Sequence, residues 1–262
     1  GIKHSSNANH SFQRDKFLSP CLTILMEKIM NNSYINKDEI NNKIYDYIAG
    51  YINCSTDQLK EEGTHFVKNK KAAKNYVKIL SIRDTNIISL SEEKYELGKQ
   101  LLSGKTRDEL YESTLIFGQT IHYIPDLKQM VKLPLSDTFS FKLYEDNNLK
   151  TLCDIEGFEN SLAFDAEGNT NTTIVLCAIK DNEIIAIAGA APTGKLMEVG
   201  IDVKKNWRGY GLARLLVRNL TVEILERNMI PFYSASVTNL ASQAVAIRSG
   251  YMPLWTDSFG TR

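Results

Sequence analysis

Val199–Val217 reads VGIDVKKNWRGYGLARLLV. An apolar run in strand-like alternation ends in a turn that carries cations and glycines, and a stretch of helical spacing follows. Leu212, Leu216, Leu220 and Ile224 form one row with Leu215 beside it, which predicts a helix over Tyr210–Arg227. Gly209, Gly211 and the small Ala213 let the backbone come close to a guest where that helix begins. A helix start exposes unpaired N–H groups and a partial positive charge. Arg208 adds a fixed charge, so the natural guest is a phosphate or pyrophosphate.

The flanking segments read as an α+β architecture. Upstream, Thr173–Ile179 and Glu183–Ala190 are apolar runs joined by KDNE, whose Asp and Asn suit a tight hairpin turn. KLMEVGIDV, Lys195–Val203, is a third strand. GQTIHYIPD (Gly118–Asp126) and FSFKLYED (Phe139–Asp146) are two more. Downstream come a strand (PFYSASV, Pro231–Val237), a helix (NLASQAVAIRSG, Asn239–Gly250) and a last strand (YMPLW, Tyr251–Trp255). No internal repeat or low-complexity segment interrupts them.

Three ligand readings of the Arg208 turn compete with a plain glycine-eased turn. A dinucleotide fingerprint fails, because its third glycine position holds Arg214 and an antiparallel meander precedes the turn. A Walker loop fails for lack of G-K-[ST]. The pyrophosphate of coenzyme A in an acyltransferase is the third. The segment VGIDVKKNWRGYGLARLLV resembles the acetyl-CoA-binding segment of the GNAT N-acetyltransferase superfamily, whose loop reads Gln/Arg-x-x-Gly-x-Gly/Ala. PFYSASVTNLASQAVAIRSGYMPLW is similar to the strand, Asn-bearing helix and Gly-aromatic ending that follow in that fold. The wording is closer still to the zwittermicin A acetyltransferase-like subfamily, over about Ile174 to Trp255, and LLSGKTRDELYES is similar to that subfamily's N-terminal part.

The resemblance implies a mixed, mostly antiparallel sheet with splayed central strands; the cytoplasm is the default location, since neither a membrane segment nor a signal peptide is read in the sequence. It implies direct transfer of an acetyl group from acetyl-CoA, the co-substrate, to a primary amine of a small molecule. The backbone of Gly200, Ile201, Asp202 and Val203 would pair with the pantetheine. One N–H there would polarise the thioester carbonyl. Arg208, Gly209, Gly211, Leu212 and Ala213 would hold the pyrophosphate. Asn239 would support the pantetheine or the strand end, unless it serves as a helix cap. The amine must lose a proton, and Glu198 is the first candidate base, with Asp202 next and a strand-end role the stronger reading for it. The family's usual general-acid tyrosine, seven residues after the asparagine, is replaced by Ala246; Tyr233 and Ser242 are the remaining donors. Arg214 and Arg218 form a solvated helix face or reach the adenosine 3′-phosphate. His122 is read as structural, and Tyr251 as packing. Two further readings stay open: a catalytically inactive acyl-CoA-binding regulatory module, suggested by Ala246, and a protein or peptide N-acetyltransferase.

The N-terminal part has a different texture. SPCLTILMEKIM (Ser19–Met30) and NKDEINNKIYDYIAGYI (Asn36–Ile52) have helical spacing, and Asn36 is placed to cap the second. YVKILSIRDTNIISLS (Tyr76–Ser91) is a hairpin. SEEKYELGKQLLSG is a helix capped by Ser91 or Ser89 and ended by Gly104, and KTRDELYES is one more. The organisation expected is a flexible tail over 1–18, a mostly helical domain over 19–125 and the GNAT domain over 126–262.

Composition sets bounds on partners. Among 262 residues, Lys plus Arg equals Asp plus Glu, 31 each, which disfavours bulk nucleic-acid binding. The four cysteines lack C-x-x-C spacing and the four histidines lack ligand spacing, so reduced, mostly buried thiols and no structural metal are expected. No stretch approaches the roughly 20 apolar residues of a membrane helix, and polar Gly1–Phe17 has no signal-peptide core. A homodimer is left open.

Overall fold

The computed structural model describes residues 36–262. The tail over 1–18 and the helix read in Ser19–Met30 lie outside the described residues. Helix α1 (Lys37–Ile52) begins at Asn36, whose Oδ1 accepts the Glu39 amide at 2.8 Å, the cap read from the sequence. It buries Ile40, Ile44, Ile48 and Ile52 along one stripe.

Among the described residues, ten strands form one sheet. They are β1 (Gly63–Lys68), β2 (Val77–Ile82), β3 (Thr85–Leu90), β4 (Ile116–Pro125), β5 (Ser140–Glu145), β6 (Ile174–Lys180), β7 (Glu183–Thr193), β8 (Leu196–Val203), β9 (Pro231–Ser236) and β10 (Tyr251–Thr261). Their spatial order is β1-β3-β2-β10-β4-β9-β8-β7-β6-β5. Of these ten strands among the described residues, only β1–β3 and β8–β9 pair in parallel. The remaining helices are α2 (Tyr95–Leu102), α3 (Arg107–Tyr111), α4 (Leu212–Glu226) and α5 (Leu240–Arg248). The β6–β7 hairpin turns on Asp181 and Asn182, at φ 51 and 64, as its KDNE chemistry predicts. Helix α3 carries a capping box between Thr106 and Glu109. Ser91 stands at the N-cap of a short 3₁₀ turn ahead of α2, but its side chain makes no capping bond.

The class is the mixed one expected. The division of the chain is not. Strand β4, from the segment assigned to a helical domain, lies between β9 and β10, and β2 pairs the far edge of β10. The sheet therefore runs through the boundary drawn at 125/126. The physical reason is edge satisfaction: β10 and β9 each present unpaired N–H and C=O groups, and β4 covers both. Strand β1 was not foreseen, because only Phe66 and Val67 are apolar in its six residues and charged runs flank it.

Side-chain alternation sorts the layers. On β9, Phe232 packs against Tyr47 of α1, whereas Tyr233 bonds Ser242 of α5. Helices α1 and α5 thus lie on opposite faces. Tyr251 joins the α5 face by stacking near Tyr233, and its hydroxyl meets Thr221 of α4 at 2.6 Å. A register shift between Pro253 and Trp255 inserts Leu254 as a bulge. Past it Trp255 turns to the α1 face and stacks on His122. The segment around Phe158–Leu162 also covers the α1 face, over Val175, Cys177 and Ile187. Of the described cysteines only Cys177 is buried; Cys54 is half-buried and Cys153 exposed, which corrects the expectation of mostly buried thiols. No helix among the described residues is long and apolar enough to cross a membrane.

Candidate active site

Strands β8 and β9 pair only at Met197–Pro231, Glu198–Phe232 and Val199–Tyr233. Beyond them the strands part, because β8 stays with β7 as far as Val203 while β9 follows β4 to Ser236. Which β8 groups face the gap follows from alternation. Met197 N donates to Ile230 O on the β9 side, and Lys204 N donates to Ile185 O on the β7 side. Odd-numbered backbone groups therefore point into the fork, so Ile201 and Val203 offer theirs there. Gly200 and Asp202 turn theirs to β7, which corrects the expectation that all four pair with a guest.

The gap widens into a cleft of about 1030 Å³. The residues singled out from the sequence for the chemistry, the pantetheine and the pyrophosphate line it: Glu198, Gly200–Val203, Arg208, Gly209, Gly211, Leu212, Ala213, Tyr233, Asn239 and Ser242. At one end stands the start of α4. Gly211 is its N-cap at φ 78 and brings no side-chain cap. Among the described residues, no acceptor takes the amides of Gly209 to Arg214. Helices α1, α3 and α5 by contrast have side-chain caps from Asn36, Thr106 and Asn239. Arg208 bonds Val203 O through Nε at 3.2 Å and keeps its remaining N–H groups free of described partners. Arg214 and Arg248 add charge on the same cleft.

Three side chains take other work than a direct one. Asp202 accepts from Asn160 Nδ2 at 2.6 Å and from Ser161 N and Oγ at 2.8 Å each. It anchors the 158–162 segment, whose backbone crosses the sheet at Gly189 and Gly200. A Cβ at either glycine would lie 1.9 or 2.0 Å from a carbonyl oxygen of that segment. The strand-end reading of Asp202 is therefore the structural one, and a proton-abstracting role is displaced. Asn239 Oδ1 caps α5 through Ser242 N at 3.1 Å. Arg218 is buried, and its guanidinium donates to the Ser249 and Gln129 carbonyls, so it is not part of a solvated face.

Tyr233 and Ser242 meet at 2.9 Å between their hydroxyl oxygens. Burial pushes the Tyr233 phenol above its usual pKa, so it keeps its proton. Ala246 is fully buried and does not line the cleft, whereas Val245 beside it does. Glu198 is half-buried and makes no hydrogen bond or ion pair with a described residue. Tyr47 of α1 lies near it: burial first, then the Glu198 charge, raises that phenol to about 12. The cleft residues missed from the sequence include Asn160, Ser234, Val245 and Arg248. The alternation of PFYSASV placed Ser234 on the face of Phe232, but no motif marked it.

The sequence model of the GNAT acetyltransferase family matches residues 13–254. The chain belongs to that family. No curated protein matches the chain. Among solved structures, this GNAT chain is similar to a GCN5-related N-acetyltransferase-like protein from Streptococcus suis 89/1591, with 20% identity, 69% of this chain and 72% of that one covered, and a TM-score of 0.42. A GNAT-family acetyltransferase from Colwellia psychrerythraea shares 14% identity over 64% of this chain and 63% of its own, at a TM-score of 0.43. A GNAT-family protein from Novosphingobium aromaticivorans DSM 12444 shares 18% over 54% and 63%, at 0.40. The GNAT chain thus spans less than two thirds of the length of the last two.

Proposed function

We propose that this GNAT chain is an acetyl-CoA-dependent N-acetyltransferase acting on a primary amine of a small molecule in the cytoplasm, and that it belongs with the zwittermicin A acetyltransferase-like proteins. The observation that carries the reading is the joining of two unsatisfied backbone sets in one cleft: the parted β8 edge and the uncapped start of α4. Each needs polar partners that a long ligand with amides at one end and a pyrophosphate at the other would supply.

The residues fit such a ligand. The free amides of Gly209 to Ala213 would take the pyrophosphate, with Arg208 beside them. Ile201 and Val203 would bond the pantetheine amides, and an N–H of this edge would polarise the acyl carbonyl. Acetyl-CoA supplies an activated acyl group on a thiol whose pKa of about 8–9 makes it a fair leaving group. Glu198, with no partner among the described residues, would draw the ammonium of the acceptor into the fork and take its first proton. Tyr233, backed by Ser242, would protonate the departing sulfur.

Free thiol, measured over a panel of small amines with acetyl-CoA, tests the reading; at least one amine should yield CoA and its N-acetyl product. Calorimetry with CoA should show binding that Arg208→Ala weakens. Binding without turnover on any amine would favour a regulatory module, and turnover on peptides alone would favour a macromolecular acceptor.

A further inference from the structure

Behind Ser234 on the cleft wall stands a group of titratable side chains that this scheme leaves unused. His122 on β4 lies between Ser234 and Asp257: its Nδ1 is 2.9 Å from Ser234 Oγ, and its Nε2 is 2.9 Å from Asp257 Oδ1. The ring is stacked on Trp255, centroid to centroid 4.6 Å with the two planes nearly parallel. Asp257 Oδ2 accepts from Tyr51 at 3.0 Å and lies 3.3 Å from Lys78 Nζ. Trp255 Nε1 donates to the Tyr51 oxygen. Ser234 lines the cleft and is the first β9 residue past the last β8–β9 pair.

Hydrogen-bond accounting orients the protons. Burial alone would push the Asp257 carboxyl up, but the His122 hydrogen bond, with the Lys78 ammonium and the Tyr51 hydroxyl, holds it below the usual carboxylate range. Ionised, it only accepts. His122 therefore carries its hydrogen on Nε2 and leaves Nδ1 as an acceptor. The Ser234 hydroxyl hydrogen is directed to Nδ1, and its oxygen lone pairs remain for the cleft.

We propose that Ser234, His122 and Asp257 form a proton relay for the acceptor nitrogen, an inference that rests on the amine-acetylation reading. Two protons leave nitrogen when an ammonium becomes an amide. The first goes to Glu198. As the nitrogen lone pair forms the C–N bond and the C–S electron pair goes to sulfur, the second moves to Ser234 Oγ. The hydroxyl's own proton moves to His122 Nδ1. The imidazolium is held against the Asp257 carboxylate and returns its proton to solvent when product leaves. Ser234 touches the substrate; His122 acts through it, and Asp257 positions His122. The charged or titratable groups around the ring are Asp257 and Lys78, then Tyr47 and Tyr51 of α1, Tyr76 and Tyr111 toward Asp257, and Glu198 across the fork.

The first test needs no co-substrate. Nitrogen-15 NMR of His122 should show the Nε2-protonated tautomer, with the Nδ1 resonance moving in Ser234→Ala; an Nδ1-protonated ring overturns the relay. In turnover, Ser234→Ala should lower kcat about 100-fold while KM for either substrate changes less than about threefold. Ser234→Thr, which keeps a hydroxyl, should restore most of the rate, and His122→Gln should remove a limb of the kcat–pH profile. If no amine yields CoA with the unaltered chain, the amine reading fails and the NMR result still judges the proton arrangement. If the unaltered chain turns over and Ser234→Ala keeps its kcat, the relay alone fails. An acetyl group found on Ser234 by intact-mass measurement also overturns it, in favour of a covalent nucleophile.

Discussion

At the scale of single residues, two carboxylates on one strand face, with Gly200 between them, show how surroundings set a role. Glu198 and Asp202 share the α1 face of β8. Asp202 is saturated by three donors from Asn160 and Ser161; Glu198 has none among the described residues. A carboxylate whose oxygens are already engaged by donors is not free to take a substrate proton. Asp202→Ala should therefore act on stability, at about 2 kcal/mol, and lower Tm by about 6 °C. A calorimetric scan checks this, and an unchanged Tm would show the 158–162 segment held by other contacts. Glu198→Gln should leave Tm and CoA affinity unchanged yet cut kcat by about 100-fold or more. Unchanged turnover would remove Glu198 from the chemistry.

At the scale of elements, the two helices beside the fork begin in different ways. Helix α5 starts on Asn239, which spends its side chain on the Ser242 amide. Helix α4 starts on Gly211 in the left-handed region, a conformation that costs an L-residue about 1 kcal/mol or more. The sequence gives up a cap where a ligand would supply one. Gly211→Ala should lower Tm by about 3 °C, and should raise the Kd for CoA because the amides of the first turn lose their common aim. Equal affinity in the two proteins, by calorimetry, would place the anion elsewhere. Strand β10 sets a side-chain direction through its bulge: were Leu254 paired in regular register, Asp257 would stand opposite Gln119 and face α5 rather than His122.

At the scale of the whole molecule, the continuous sheet governs. Strand β4 bridges β9 and β10 and β2 pairs the other edge of β10, so residues 126–262 alone would leave β9 with a bare edge and β10 with no partner on either side. That fragment should show no cooperative thermal transition by circular dichroism; a sharp one would restore 125/126 as a domain boundary. Buried phenols set the alkaline limit. Burial first of all raises Tyr47 and Tyr76 to about 12, and Tyr51, Tyr111 and Tyr251 are also held above the ordinary value. A raised folded pKa gives stability that is complete below the unfolded value, about 10, and that is lost as pH rises toward the folded one. Tm should hold level to about pH 9.5 and then fall steeply. A Tm that stays level to about pH 11.5 would show the tyrosines accessible in the native state.

The sequence by itself determined the local elements around the site. The turn at Arg208, helix α4, the KDNE hairpin and the Asn36 cap rest on preferences between residues at most four apart, which the chain order already contains. Ser234 and His122 are 112 residues apart, and His122 and Asp257 are 135 apart. Whether they meet depends on strand order, register and one inserted residue. Those are chosen when the whole sheet satisfies its edges and buries its faces, so only the tertiary structure brought these three together and assigned Asp202 to the loop it holds.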